Sequence, residues 1–178
     1  MPHIQPLAPG AINDAELRDL ITRCEALGVP DAQFSGILAR SPVHAKAVLR
    51  AMLHSHAEGN VDHKLKEIIR ISLARIAGDA YFAGLRSAKA QRQGLDEQAI
   101  EAGAGKHEAE PALTPAEKCA LRYAKLMYLD ASKVDAAFYA EMKTHFSEAQ
   151  IMELGAFIAL HYGMQVFMRT LGAGTAHR

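Results

Sequence analysis

The chain has 178 residues, of which 49% are hydrophobic and 22% are charged, as expected of one globular domain with a sizeable core. Lys and Arg together number 20, and so do Asp and Glu, which leaves no net positive charge to attract nucleic acid or an anionic membrane. The N-terminus shows no secretion signal, and no stretch reaches the roughly 18 uninterrupted apolar residues of a membrane span. We therefore expect a cytoplasmic protein.

Helix signals dominate the first half of the chain, and strand signals are nearly absent. Gly and Pro, or an Asp that can cap a helix, mark most of the boundaries. The predicted helices of this half span 13–27, 32–40, 42–58, 62–78 and 80–93, and a brief one starts at residue 96. The cysteines, Cys24 and Cys119, fall in such helical patterns far apart in sequence, which indicates core thiols rather than a disulfide.

The second half contains two capping boxes, in which a Ser or Thr side chain and a Glu or Gln three residues later satisfy each other's backbone donors. Thr114 to Glu117 opens one long helix, and Ser147 to Gln150 opens the last helix, which Gly172 ends. A further helix starts at Asp135. The whole pattern predicts an all-α protein of about eight helices.

Two helices are more apolar than a surface helix requires. The last helix has large apolar residues around most of its circumference, and the 62–78 helix has a second apolar strip, formed by Ile71, Ala74 and Gly78, that also contains Glu67. A helix that is apolar on two faces is buried on two sides, in the core or at a subunit contact. We therefore predict a homo-oligomer.

The segment from Glu67 to Arg86 reads E-I-I-R-I-S-L-A-R-I-A-G-D-A-Y-F-A-G-L-R and resembles the active-site segment of the carboxymuconolactone decarboxylase and alkylhydroperoxidase D-like family. In redox members of that family a Glu is followed by C-x-x-C-x-x-x-H at the start of the next helix. Glu67 occupies the Glu position, but Asp79 and Phe82 stand at the cysteine positions and Arg86 at the His position. The resemblance continues through L-T-P-A-E-K-C-A-L-R-Y-A-K-L and A-L-H-Y-G-M-Q-V-F-M-R-T-L-G.

This resemblance covers residues 34–172 and implies one domain over 1–178 with the alkylhydroperoxidase D-like helical fold, preceded by a helical extension at about 13–28. It also implies trimers or hexamers, with sites near subunit contacts and no organic cofactor. Thiol peroxidase chemistry needs a thiolate beside a resolving thiol, which Asp79 and Phe82 do not supply. Thiol peroxidase activity is therefore not expected, and Glu67 alone remains from the redox relay.

Glu67 and Asp79 are the candidate acid–base residues. Beside Ile71 on the next turn, Glu67 would be partly desolvated, which raises its pKa and suits a general acid or base. The alternative is a solvated Glu67 that pairs with Arg70, Lys64 or His63. Asp79 follows a glycine and can act as a helix cap, a fixed charge or a base.

Three further residues complete the predicted site. Arg86 could bind a substrate carboxylate bidentately or lie on the surface. Tyr81 adjoins a replaced cysteine position and could contact substrate, although core packing is the commoner role. His161 lies on an apolar face of the last helix, as a core histidine or an auxiliary catalytic group. No metal site is expected, because the i,i+4 pairs His63/Glu67 and His54/Glu58 each lack a third ligand.

The preferred hypothesis is a cofactor-free decarboxylase, lyase or isomerase that uses Glu67 as the proton shuttle on a small carboxylated molecule. Asp79 and His161 would assist, while Arg86 and Tyr81 would bind the substrate. One alternative is an alkylhydroperoxidase-like antioxidant protein that has lost the thiol motif. Another is a non-catalytic binding or structural oligomer, in which Glu67, Asp79 and Arg86 form a buried ion network.

Overall fold

A computed structural model describes residues 2–28, 30–105 and 107–173 of the chain. Within these ranges the chain contains ten α-helical segments, three short 3-10 turns and no strand, which confirms the predicted all-α class. The α-helices are α1 (Ala15–Leu27), α2 (Ala32–Leu38), α3 (Pro42–Ala57), α4 (His63–Ile76), α5 (Ala80–Gly84), α6 (Ala88–Arg92), α7 (Glu97–Ala104), α8 (Pro115–Leu129), α9 (Ala136–Met142) and α10 (Glu148–Thr170). The 3-10 turns are Pro9–Ala11, His107–Ala109 and Ala131–Lys133.

Two hydrophobic clusters form the core, and α4 and α10 contribute to both of them. One cluster joins α4, α7, α8, α9 and α10, and the other joins α1, α2, α3 and α5 to the ends of α4 and α10. Ile69 of α4 lies in the first cluster and Ala74 in the second, and neither is exposed to solvent. Helix α4 is therefore buried on two sides, as its two apolar strips predicted.

Side-chain caps fix most helix starts. Both predicted capping boxes are present, at Thr114–Glu117 for α8 and at Ser147–Gln150 for α10. Asp14, rather than the neighbouring Asn13, caps α1 by accepting a hydrogen bond from the backbone N–H of Leu17. Each such cap contributes about 1 kcal/mol to helix stability.

The predicted single helix over 80–93 is divided into α5 and α6. Leu85, the residue after α5, has an extended backbone, and α6 begins only after its cap Ser87. The backbone groups released by this break have buried partners on α4: Arg70 binds the carbonyl of Leu85, and Glu67 binds the N–H of Ser87. A long-range polar interaction has overridden a local helix preference, and this break adds one helical segment to those predicted.

Helix α10 also presents an apolar face to solvent. Its inner residues Leu154, Phe157 and Ile158 are buried, whereas Met152 and Phe167 are 71% and 44% exposed. The residues between these two on the outer face are small and uncharged: Ala156, Ala159 and Gly163. By length and composition alone, α10 is the one helix in the described ranges that could cross a membrane, although its inner face packs on α3, α4 and α8.

Candidate active site

Glu67 lies at the centre of a buried polar cluster formed by α3, α4 and the start of α6. Its side chain is fully buried. Arg70, one turn further along α4, donates from Nε to Oε2 over 2.9 Å and from Nη2 to Oε1 over 2.7 Å. The backbone N–H of Ser87 donates to Oε1 over 2.9 Å, and His56 Nε2 lies 3.1 Å from Oε2. Both carboxylate oxygens are therefore held in fixed directions.

Arg70 connects this carboxylate to the end of α5. The residue is fully buried, and its Nη1 and Nη2 donate to the carbonyl oxygens of Phe82 and Leu85, each over 2.6 Å. These carbonyls lie at the C-terminal end of a helix, where a cation is favoured. The guanidinium thus balances the charge of Glu67 and also donates hydrogen bonds to the carbonyl groups at the end of α5.

The charge state of Glu67 follows from these contacts. Burial by itself would raise the pKa of this carboxyl group, but the positive charge and hydrogen bonds of Arg70, together with the His56 hydrogen bond, hold the pKa well below its usual range. Glu67 is therefore ionised at neutral pH, where it accepts hydrogen bonds and donates none. The sequence predicted a raised pKa for Glu67, and the structure corrects this because the desolvation is outweighed by Arg70.

The Glu67 carboxylate determines which ring nitrogen of His56, at the end of α3, carries the proton. Burial lowers the pKa of His56 despite the opposing effect of Glu67, so the imidazole is neutral at pH 7. Since the ionised Glu67 can only accept, His56 Nε2 carries the proton and Nδ1 has the lone pair. Nδ1 is buried and has no hydrogen-bond partner among the described residues. A neutral imidazole oriented by a carboxylate is the arrangement of a general base.

A second histidine, His63, closes a ring of hydrogen bonds with the first. His63 Nδ1 donates to the backbone oxygen of His56 over 2.5 Å, and His63 Nε2 accepts from Ser87 Oγ over 2.8 Å. Burial lowers the pKa of His63 to about 4, which keeps this imidazole neutral as well. Because the Ser87 N–H binds Glu67, the four residues Glu67, His56, His63 and Ser87 orient one another.

His161 of α10 lies against the same imidazole. Its ring centroid is 5.2 Å from that of His56 and 4.2 Å from that of Phe157. Burial holds the pKa of His161 well below its usual range. The structure therefore brings together two of the predicted site residues, Glu67 and His161, with His56 between them.

A polar cavity of about 270 Å3 adjoins this cluster. It is lined by His56 and His63, by the loop between α3 and α4, and by Lys89 and Gln93. Buried Lys66 fastens the loop: its Nζ donates to the carbonyl oxygens of Ser55 and Glu58 over 2.9 and 2.8 Å and pairs with Glu153 of α10. Both histidines therefore lie at the boundary of this cavity.

The other three predicted site residues make contacts of their own. Asp79 caps α5 by accepting from the N–H of Phe82 over 3.0 Å. The Tyr81 hydroxyl donates to Asp31 over 2.5 Å, and burial together with this contact raises the pKa of Tyr81. Arg86 forms a bidentate pair with Glu97 over 2.7 and 3.0 Å. No described hydrogen bond joins any of the three to Glu67, and their functional roles stay predictions.

The sequence interpretation missed His56, Arg70 and Ser87 as site residues. The i,i+3 spacing of Glu67 and Arg70 did suggest a pair, but a solvated one, whereas both side chains are buried. His56 is eleven residues before Glu67 and Ser87 is twenty residues after it, on other helices, so no periodicity relates them. Only the turn between α3 and α4 brings His56 to the carboxylate.

Neither thiols nor a metal site accompany the cluster. Cys24 and Cys119 lie in different hydrophobic clusters, and burial raises the pKa of both, to about 12 for Cys24. Neither is therefore a reactive thiolate at neutral pH. Within residues 2–28, 30–105 and 107–173, no group of three or more His, Cys, Asp or Glu side chains is arranged to hold a metal ion.

Solved structures with the same fold include the debrominase Bmp8 in complex with 2,3,4-tribromopyrrole, a variant in which a cysteine is replaced by alanine. That match has a TM-score of 0.81 and 19% identity, over 97% of this chain and 91% of that chain. A peroxidase-related protein with an alkylhydroperoxidase AhpD core from Ralstonia eutropha JMP134 matches with a TM-score of 0.76 and 15% identity, over 95% and 90%. A peroxidase-related protein from Silicibacter sp. TM1040 matches with a TM-score of 0.73 and 14% identity, over 96% and 90%.

No protein-family model and no curated protein matches the chain. The structural matches, at these low identities, confirm the alkylhydroperoxidase D-like helical fold that the sequence resemblance predicted.

Replacing Glu67 by Gln should lower the free energy of unfolding by about 3–5 kcal/mol, because the Arg70 charge is then left unpaired in the interior. Urea denaturation followed by circular dichroism measures this loss. Adding Arg70→Met to Glu67→Gln should restore part of the stability, since the orphaned charge is removed. The matched control is Glu101→Gln, which removes the exposed pair with Arg75 and should change little. Equal stability of the two single variants would contradict the account.

Acid should destabilise the protein between pH 6.5 and about 4. The folded-state pKa of His63 is about 4 against an ordinary value of 6.5, so the unfolded chain binds more protons in this window. Stability is therefore complete above pH 6.5 and decreases as the pH falls through the window. Urea midpoints at a series of pH values measure this slope, which His63→Gln should reduce and the exposed-site control His145→Gln should not. A midpoint that rises on acidification would exclude this assignment.

Proposed function

We propose that the protein is a cofactor-free enzyme that acts on a small molecule by acid–base chemistry, with His56 as the base and Glu67 as the carboxylate that orients it. The observation that supports this most is the 3.1 Å contact between His56 Nε2 and Oε2 of the ionised Glu67, from which we infer that Nε2 carries the proton. The Nδ1 atom of His56, which then has the lone pair, has no partner among the described residues. This assigns the proton transfer to His56 rather than directly to Glu67.

In the proposed mechanism, Nδ1 of His56 takes a proton from the substrate, and the resulting imidazolium is stabilised by Glu67 through Nε2–H. Arg70 and the Ser87 N–H keep the carboxylate ionised and aligned while the charge develops. Return of the proton to another substrate atom completes an isomerisation. In a decarboxylation the proton goes to the carbon from which CO2 departs, and in an elimination it goes to the leaving group, which departs with its electron pair. His161, against the His56 ring, is the proposed auxiliary group.

The contacts of Arg86, Tyr81 and Asp79 do not support the site roles that the sequence predicted for them. The Arg86 guanidinium, expected to bind a substrate carboxylate, is engaged by Glu97, and the Tyr81 hydroxyl is engaged by Asp31. Asp79 serves α5 as its cap. The mechanism proposed here therefore uses Glu67 and His161 of the predicted set, and not these three residues.

The structural neighbours include a debrominase as well as peroxidase-related proteins. Bmp8 is a debrominase that binds a small ring compound, which supports a small-molecule substrate for this fold. A cysteine-dependent reaction at the matching turn is disfavoured here, because Asp79 and Phe82 replace the motif cysteines and both cysteines of the chain are buried elsewhere.

Elimination of a benzisoxazole tests for an accessible general base without knowledge of the natural substrate. The protein should accelerate this reaction, and His56→Gln should lower the rate by about 100-fold or more, the usual contribution of a positioned base. Glu67→Gln should also lower it, because the imidazole loses its orienting acceptor. The reaction is followed by the absorbance of the phenolate product.

His145→Gln is the matched control, because His145 is exposed and lies outside the cluster. It should react like the parent protein. A parent rate no higher than that of His56→Gln would overturn the proposed function and would favour the structural interpretation of the Glu67 cluster.

We also propose that the outer face of α10 is covered by a second copy of the chain in a homo-oligomer, a trimer or hexamer by family resemblance. An uncharged stripe that runs from Met152 to Phe167 on a soluble surface is typical of an interaction site. Ala159→Glu places a charge at its centre and should lower the molar mass measured by light scattering, whereas Glu148→Gln at the exposed helix start should not. A monomeric parent protein would contradict this proposal.

A further inference from the structure

The polar cavity beside His56 and His63 is lined by charged groups of both signs. Lys89 of α6 contributes a cation, and the loop between α3 and α4 contributes the carboxylates of Glu58 and Asp62. Among the described residues, Lys89 forms no ion pair with either carboxylate. Opposite charges that line one cavity without pairing are available to a ligand that carries both signs itself.

The Lys89 ammonium has hydrogen-bonding capacity to spare. Its Nζ donates to the carbonyl oxygen of Ala57, which is its one acceptor in the part of the chain that the structure describes. An ammonium has three N–H groups, so two of them are available to a ligand. Gln93, one turn further along the chain, lines the same cavity with a side-chain amide. A carboxylate is the ligand group that an ammonium and an amide N–H bind together.

The two carboxylates each have one oxygen to spare. Glu58 Oε2 lies 2.5 Å from Nδ1 of His54, and Asp62 Oδ1 accepts from the backbone N–H of Lys64 over 2.9 Å. Oε1 of Glu58 and Oδ2 of Asp62 have no partner within the described ranges. These two oxygens can accept hydrogen bonds from an ammonium group of a ligand.

The loop that carries these carboxylates is held in place by α10. Glu153 of α10 accepts from the backbone N–H groups of Asn60 and Val61 over 2.8 and 3.1 Å. Gly59 has a positive φ of 104°, and a Cβ at this position would collide with the Glu153 carboxylate. The backbone around the cavity is therefore formed before a ligand binds, which reduces the entropy lost on binding.

The mixture of charges disfavours a ligand of a single sign. An anion attracted by Lys89 would be repelled by Glu58 and Asp62, and a cation attracted by these carboxylates would be repelled by Lys89. A molecule with one group of each sign meets a partner for both. The cavity volume of about 270 Å3 has room for a small molecule of this kind, since one water takes about 30 Å3 in the liquid.

We propose that this cavity binds a small aminocarboxylate, a zwitterion of the amino-acid class. Its carboxylate binds Lys89, and its ammonium group binds Asp62 and Glu58. The inference rests on the proposed function, because it names the class of small molecule on which the neighbouring histidines act. It also assigns to Lys89 the carboxylate-binding role that the sequence suggested for Arg86.

Calorimetric titration of the intact protein at pH 7 tests the ligand class. The probes are alanine and 4-aminobutyrate, in which the two charges are close together or far apart, with butyrate and butylamine as their singly charged counterparts. At least one zwitterion should bind about tenfold or more tightly than butyrate and butylamine, the contribution of one further charge-assisted hydrogen bond. Binding of butyrate or butylamine as strong as that of both zwitterions, or no binding of either zwitterion, would overturn the proposal.

Two variants test the residues. Lys89→Gln removes the cation, and Asp62→Asn removes a carboxylate but keeps a residue that caps a helix equally well. Each should weaken binding of the zwitterion by about tenfold. Lys133→Gln is the matched control, because Lys133 is exposed and does not line the cavity, and it should leave the affinity unchanged. Zwitterion binding that neither Lys89→Gln nor Asp62→Asn weakens would contradict the site.

The benzisoxazole assay separates this inference from the proposed function. A parent protein that eliminates the benzisoxazole but binds neither zwitterion would refute the ligand class alone. Zwitterion binding that depends on Lys89 and Asp62, in a protein that does not eliminate the benzisoxazole, would support the binding site and contradict the acid–base function.

Discussion

The buried pair of Glu67 and Arg70 is the interaction on which the arrangement of this protein's polar centre depends. Two opposite charges have been removed from water, so each must be fully paired and hydrogen-bonded for the fold to tolerate them. Arg70 meets this demand by binding Glu67 and two carbonyls at the end of α5, and Glu67 meets it with the Ser87 N–H and His56. The break between α5 and α6 and the orientation of His56 both follow from this pairing.

The local features of the fold could be predicted from the sequence. Capping boxes, glycine stops and the two-faced apolar pattern of α4 each depend on residues within a few turns of one another, and all appear in the structure. The exception is the 80–93 segment, where Gly84 and Ser87 did not reveal a break. That break is stabilised by Arg70 and Glu67, which are 15 and 20 residues away from their partners Leu85 and Ser87 in sequence.

The candidate site could be predicted only in part, for the same reason. Family resemblance singled out Glu67, and the apolar face of α10 singled out His161, and these two do converge. His56 could not be found, because its relation to Glu67 is created by the turn after α3. The predicted direction of the Glu67 pKa shift was wrong. A hydrophobic strip in the sequence indicates desolvation, which raises the pKa, but it does not reveal the Arg70 guanidinium, which lowers it. Arg86 and Tyr81 are adjacent to the motif in sequence, but they bind Glu97 and Asp31.

By the sequence resemblance, Glu67 holds the glutamate position of the alkylhydroperoxidase D-like active segment, while the helix cap Asp79 and the buried Phe82 stand at the cysteine positions. With the thiols replaced, the chemical groups that remain are a fixed carboxylate and neutral imidazoles, a set suited to moving protons rather than electrons. A polar cavity of about 270 Å3 lies beside His56 and His63.

Ionised Glu67 fixes His56 as the neutral imidazole with its proton on Nε2. Nitrogen-15 NMR of the histidine side chains at pH 7, with His56 assigned by its loss in His56→Gln, reads this state directly. We expect a protonated Nε2 and an unprotonated Nδ1 for His56. A proton on Nδ1, or a doubly protonated ring, would contradict it and remove His56 as the base.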